Sequence, residues 1–112
     1  MKETIIGLTE KVRIKGEYGE KEVPAKIDTG SESNSMDLKL ASKLGVGPII
    51  KSIKVKSSHG MTRRPVVKAR IRIKNRLINA LFNIADRKRL KYKILIGRRT
   101  LAKNFLIDPS KK

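Results

Sequence analysis

Apolar and charged residues alternate with period two along much of the chain. The pattern is clearest from Val66 to Lys74, where Val67, Ala69, Ile71 and Ile73 alternate with Lys68, Arg70, Arg72 and Lys74. Such alternation predicts a strand with one face buried. Leu77 to Ile84 repeats it, with Ile78, Ala80, Phe82 and Ile84 on one side, and Asn75-Arg76 predicts the intervening turn. Ile5-Ile6-Gly7-Leu8, Val12-Arg13-Ile14-Lys15 and Lys21 to Ile27 read as shorter strands, the last two joined by a hairpin turn over Gly16 to Glu20. Pro24, which has no N–H for a ladder, suits an edge or a bulge. Ile53 and Val55 alternate with lysines in a further strand, and Ser57-Ser58-His59-Gly60 reads as a hairpin tip. Ile94-Leu95-Ile96 is a continuous apolar run, expected to be a strand buried on both faces. Phe105-Leu106-Ile107 closes the chain as a strand.

Only two segments read as helical. Asp37 to Gly45 has a cap at its start (Ser35 or Asp37), Leu40 and Leu44 on one face, and a glycine to stop it. Arg98 to Lys103 has room for one or two turns. Ser31 to Ser35 is polar and loop-like, and Asp86 to Lys91 is a charged loop. Many short strands with two brief helices predict an all-β fold, a small closed barrel. With 112 residues and no linker or repeat, the chain is expected to form a single domain over residues 1–112.

Composition narrows the chemistry. Cysteine is absent, which excludes a disulfide framework and a thiolate metal site, and one histidine cannot supply a multi-histidine zinc site within one chain. No apolar run approaches a membrane span, and the N-terminal apolar stretch is too short for a signal peptide, so a soluble, cytoplasmic protein is expected. The 28 Lys and Arg residues against 10 Asp and Glu give a net charge of +18. That field concentrates anions, whether nucleic acid or acidic peptide. Aromatic residues make up only 4%, poor material for stacking bases, so any nucleic acid would be held through its phosphates.

The segment most suggestive of chemistry is Asp28-Thr29-Gly30, at the end of the strand Val23-Pro24-Ala25-Lys26-Ile27. Peptide hydrolysis by carboxylates needs two of them, one to take a proton from water and one to protonate the substrate carbonyl. Asp37, Asp86 and Asp108 lack the Thr-Gly context. A dyad of like parts therefore requires two copies of Asp28 at the axis of a homodimer. Two close carboxylates cannot both ionise cheaply, so such a pair would titrate as a unit. Gly30 permits a tight turn and lets N–H groups reach the carboxylate. Thr29 offers a hydroxyl across the axis, Ser31 another donor near the dyad, and Gly97 leaves room beneath the turn. The same triplet also suits an ordinary strand-to-turn junction.

Ala25 to Gly30 taken together with Ile94-Leu95-Ile96-Gly97-Arg98 resembles the retropepsin-like aspartic proteases, single-domain homodimers of the acid protease fold. More narrowly, the chain resembles a small prokaryotic family often labelled ATP-dependent zinc protease and associated with RimK-type glutamate ligases. Arg64-Pro65-Val66-Val67, Ala85-Asp86-Arg87, Tyr92 to Arg98 and Phe105 to Asp108 carry that likeness. It implies that Asp28 is the catalytic aspartate, with Thr29 and Gly30 completing its loop. It also implies an ion pair between Glu32 and Arg98, and a flap formed by Ser58, His59, Gly60 and Met61. Arg63 and Arg64 make that flap basic, and Lys26 stands where an apolar residue is usual. Neither HExxH nor a phosphate-binding GxxxxGKS/T loop is present, so the sequence predicts no metal site, no zinc and no ATP cofactor.

Two functions follow. The first is an aspartic-type peptidase acting as a homodimer on peptides, acidic or polyglutamate-like ones being favoured by Arg63, Arg64 and neighbouring lysines. The alternative is a non-catalytic module of the same fold that binds nucleic acid or the ribosome, with Arg70, Arg72 and Lys74 as its surface. No membrane partner is expected.

Overall fold

The computed structural model describes residues 2–57 and 60–112, with Ser57 described by its backbone alone. The alternating segments become strands, and their register explains the alternation. Strands β2 (Thr9–Gly16) and β3 (Gly19–Ile27) form the predicted hairpin. The two longest strands, β6 (Gly60–Ile73) and β7 (Arg76–Ala85), pair antiparallel with Val67 opposite Phe82, Ala69 opposite Ala80 and Ile71 opposite Ile78. Val12 and Ile14 of β2 lie opposite Ile73 and Ile71 of β6. Every one of these residues is buried. Cross-strand apolar pairs thus line one continuous interior, and each fully buried aliphatic or aromatic side chain stabilises the fold by about 1.5–3 kcal/mol relative to exposure.

The remaining strands close the structure. β4 (Asn34–Asp37) pairs parallel with β7 and antiparallel with β8 (Ile94–Ile96), which in turn pairs parallel with β3. The order β2-β3-β8-β4-β7-β6 returns to β2, giving a closed barrel of 6 strands. β5 (Ile49–Ser57) continues the sheet beyond β6 and projects with it as a long hairpin arm. A separate ribbon pairs β1 (Thr4–Ile6) in parallel with β9 (Phe105–Ile107). The expectation of an all-β barrel with two short helices is met. α1 spans Leu38–Leu44, capped by Asp37 and stopped by Gly45 in the left-handed conformation (φ 69°), and α2 spans Arg98–Leu101.

Three local readings differ. Ser31 to Ser35 is not all loop: Asn34 and Ser35 open β4 and are buried. Their polarity hides a strand because internal partners satisfy both side chains. Leu95 is only half-buried, although β8 is paired on both edges, because its side chain points to the outer face. The β6–β7 turn falls on Lys74-Asn75, and Arg76 already belongs to β7, its guanidinium 4.4 Å from the centre of the Phe105 ring. Pro24 behaves as expected. It lies just before the stretch Ala25–Ile27 that pairs with β8, where β3 is still an edge on that side.

Candidate active site

β3 carries Asp28 out of the barrel at the point where β8 lies beside it. Asp28 N–H donates to the Ile96 carbonyl (2.9 Å), and its Oδ1 accepts from Gly30 N–H (2.9 Å). The Asp28 carbonyl accepts from Ser31 N–H (3.2 Å), closing the turn. Asp28 is half-buried, while Thr29 and Gly30 are exposed. The Thr29 hydroxyl has no hydrogen-bond partner among the described residues.

The loop is locked from behind by the start of α2. Arg98 N–H donates to the Ser31 carbonyl (2.8 Å) and Arg99 N–H to the Glu32 carbonyl (3.1 Å). Gly97 is buried here. A Cβ on it would stand 2.7 Å from the Ser31 carbonyl oxygen and closer still to that of Ser33, so only glycine lets the two segments meet. The side chains depart from expectation. Glu32 pairs with Arg99 (2.6 Å), whereas Arg98 Nη1 donates to the Thr29 carbonyl (3.0 Å). The first turn of α2 aims these two arginines at successive parts of the loop, so the residue next to Gly97 reaches the Asp28-Thr29-Gly30 turn and the following one reaches Glu32. Ser31 Oγ donates to the Ser33 carbonyl (2.8 Å) rather than towards Asp28.

Asn34 joins these parts and was not singled out from the sequence. Its Oδ1 accepts from Gly97 N–H (2.8 Å), and its Nδ2 donates to Thr100 Oγ1 (2.8 Å) and the Leu81 carbonyl (3.1 Å). One buried amide thereby ties β4, β7, α2 and the Gly97 turn together.

The outer face beside Asp28 is set by strand register. Lys26 lies opposite Leu95, Leu95 opposite Ser35, and Ser35 opposite Asn83, so their side chains share the face on which Asp28 follows Lys26. Ser35 Oγ donates to Asn83 Oδ1 (3.0 Å), which also accepts from Arg64 Nη1 (3.2 Å). Arg87 is not among the candidate site residues of the sequence, where it reads as part of a charged loop and of the Ala85-Asp86-Arg87 stretch that carries the resemblance. Its main-chain N–H donates to Asp37 Oδ1 (2.7 Å) and its Nε to the Tyr92 carbonyl (3.1 Å). Burial, then the neighbouring Arg64 guanidinium, lower the Arg87 pKa, while the Asp37 and Asp28 carboxylates oppose that shift. Arg87 keeps its charge and faces the field of Asp28. The signal in the sequence was Arg87 beside an acid in Ala85-Asp86-Arg87, too general to assign alone.

Of the predicted flap, Ser58 and His59 lie outside the described residues. Gly60 and Met61 begin β6 at the end of the arm and are exposed. Arg63 Nη1 donates to Ser52 Oγ across the arm (3.1 Å), so of the two flap arginines it is Arg64 that bonds into the barrel face. Among the described residues no cluster of three or more His, Cys, Asp or Glu side chains could hold a metal ion. No described helix is long and apolar enough to cross a membrane.

Solved structures share this architecture. A protein of unknown function from Legionella pneumophila matches with TM-score 0.69 and 24% identity, over 96% of this chain and 94% of that one. The Simian Foamy Virus (mac) protease matches at 0.64 and 17%, over 84% and 91%. The EIAV protease, solved with the inhibitor HBY-793, matches at 0.66 and 19%, over 84% of each chain. The fold is that of retropepsin-like proteases. Residues 39–112 match the sequence model of the RimB-like family, described as the retropepsin-like aspartic endopeptidase RimB, and the chain belongs to that family. The matched region includes Gly97 and Arg98 and begins after the Asp28 loop. No curated protein matches the sequence.

Proposed function

We propose that the chain is one half of an aspartic-type peptidase, completed when a second copy brings its own Asp28 to the first. The observation that carries this reading is the Asp28 loop itself. Its carboxylate is held by Gly30 N–H, its backbone is pinned to α2, and its Thr29–Gly30 edge stands exposed.

The chain's other aspartates are poor candidates for the second acid. Asp37 is buried and spends both oxygens on structure, accepting from Leu40 N–H and Arg87 N–H. Asp86 and Asp108 cap turns through Lys88 and Ser110. In the paired site one carboxylate takes a proton from water, and the water oxygen attacks the peptide carbonyl carbon. The other carboxyl gives its proton to the carbonyl oxygen. As the tetrahedral intermediate collapses, the first carboxyl passes the proton it took from water to the nitrogen, and the C–N bond breaks to release the amine. A hydroxyl of the intermediate returns its proton to the second carboxylate.

Apolar surface close to the loop supports self-association. Leu8, whose carbonyl accepts from Ile27 N–H, is 46% exposed. Ile5 and Leu106, direct partners in the β1–β9 ribbon, are 49% and 52% exposed. A second copy would cover such residues. It would also bring a large positive charge against its like, so association should strengthen with salt.

Arg64 and Arg87 favour an acidic peptide in the cleft. The Nη atoms of Arg87 have no hydrogen-bond partner among the described residues, and Ser35 and Asn83 make the neighbouring floor polar. The deciding experiment is cleavage of a polyglutamate-tailed peptide and a neutral peptide of equal length by the wild type and by Asp28→Asn. Hydrolysis that Asp28→Asn abolishes, faster on the acidic peptide, is the expected result. Activity that survives Asp28→Asn would overturn the catalytic assignment, and equal rates on the two peptides would overturn the substrate class alone.

A further inference from the structure

The barrel carries a second cationic surface that the cleft does not use. On the outer face of β6, Lys68, Arg70 and Arg72 stand at alternate positions, about 7 Å apart along the strand. β2 sets Lys15 directly opposite Arg70 and Arg13 directly opposite Arg72. Like charges in direct cross-strand register destabilise a sheet. Arg13 is relieved by Glu20 and Glu22 from β3. Among the described residues Lys15, Lys68, Arg70 and Arg72 have no ion-pair partner. Lys74, which the sequence placed in this row, pairs instead with Glu10 (3.5 Å). The β7 neighbours of the row, Leu81, Asn79 and Leu77, bring no acid.

Lys15, Lys68 and Arg70 line a groove of about 760 Å³ between this face and the segment Gly45–Pro48. Asn79 and Glu17 complete its polar lining, and Tyr18, 75% exposed, packs beside Gly45 at its edge. The groove lies far from Asp28. Thr9, at the other end of β2, is the residue paired next to the Asp28 loop, and Lys15 is six residues further on, roughly 20 Å along the strand.

We infer that this groove and strip form a docking surface for an RNA strand. A straight row of cations at fixed spacing on a rigid strand suits a linear polyanion with regularly repeated charges. An interface with a folded protein needs an apolar centre. Here the exposed apolar side chains are scattered around the cations rather than gathered at a centre: Leu77 and Leu81 stand on either side of Asn79, and Ile49 and Ile50 follow Pro48 at the groove's far wall. The groove offers one acceptor-only group, the Glu17 carboxylate, which repels phosphate but accepts a ribose 2′-hydroxyl, the group that separates RNA from DNA. Tyr18 adds a ring on which one base can stack.

The test is binding of a short labelled RNA, and of the DNA of the same sequence, across a salt series. It uses the wild type, the triple variant Lys68→Gln/Arg70→Gln/Arg72→Gln and the arm variant Lys54→Gln/Lys56→Gln/Arg63→Gln. The triple variant is expected to lose at least about tenfold in affinity and to flatten the slope of log Kobs against log salt by about two, at about 0.7 for each single-strand phosphate contact. The arm variant keeps the wild-type slope, RNA binds more tightly than DNA, and Asp28→Asn binds as the wild type does. The triple variant is also expected to melt at a higher temperature than the wild type in low salt, because like charges have been removed. Equal losses in the triple and arm variants, an unchanged triple variant, or equal affinity for DNA would overturn the assignment. So would tighter binding of a polyglutamate peptide than of RNA at this face, or a lower melting temperature of the triple variant.

Discussion

Arg98 Nη1 donates to the carbonyl of Thr29 (3.0 Å), so the residue after Gly97 holds the residue after Asp28. Arg99, its neighbour, holds Glu32 instead. The two arginines should therefore separate kinetically. Arg98→Met is expected to lower kcat by up to about a hundredfold, since a displacement of the order of 1 Å at reacting groups has that effect. Arg99→Met removes an exposed ion pair, expected to cost about 1 kcal/mol or less, and should leave kcat close to wild type. Steady-state kinetics beside urea unfolding of both variants makes the comparison.

Asn34 is the buried joint of the site, and its loss should be felt as stability first. Asn34→Ala leaves Gly97 N–H and Thr100 Oγ1 without their partner. Each buried polar group so orphaned costs about 1–3 kcal/mol. Urea unfolding should show the midpoint fall with an unchanged slope, as for a loss of stability without a change in the surface exposed.

Arg87 should govern substrate choice more than folding, because its main-chain N–H carries the bond to Asp37 and its side chain makes one structural bond, from Nε to the Tyr92 carbonyl. Arg87→Met is expected to raise KM for the acidic peptide by about tenfold and to change the neutral peptide little, as for a lost charge-assisted bond of about 1.5 kcal/mol. Equal effects on both peptides would count against a contact with substrate carboxylates.

Asp108 should leave a mark on acid stability. Hydrogen bonds from the Ser110 hydroxyl and N–H hold its carboxyl below the ordinary value of 3.8. A depressed folded-state pKa stabilises the fold above the unfolded value, and the effect is lost as pH falls through the folded one. Below about pH 4 the wild type should therefore lose stability more steeply than Asp108→Asn. Unfolding midpoints measured between neutral and strongly acidic pH make the check. The turn matters because Asp108 holds Lys111, whose carbonyl accepts from Leu8 N–H beside the Asp28 loop.

What the sequence determined by itself was the barrel and the position of the Asp28 turn at the end of β3. Period two in Val66 to Lys74 and Leu77 to Ile84 assigned the buried face of both long strands, because a pleated strand turns alternate side chains to opposite sides. Gly45 marked the end of α1 and Ser35 or Asp37 its start, because capping is local chemistry, and the structure selects Asp37. Asp28 and Gly97 drew notice for the same reason, each standing at the end of an apolar strand.

Tertiary structure decided the partners. That Arg98 goes to Thr29 and Arg99 to Glu32 depends on how the first turn of α2 rotates against a loop some 70 positions away in sequence. Asn34 and Ser35 looked like loop because polar residues predict exposure, and only Thr100, Gly97 and Asn83, brought from distant segments, make their burial tolerable. Arg64 and Arg87 meet near Asp28, and Lys15 faces Arg70, through barrel closure. Register between strands distant in sequence is fixed by the packing of the whole interior, and no local pattern encodes it.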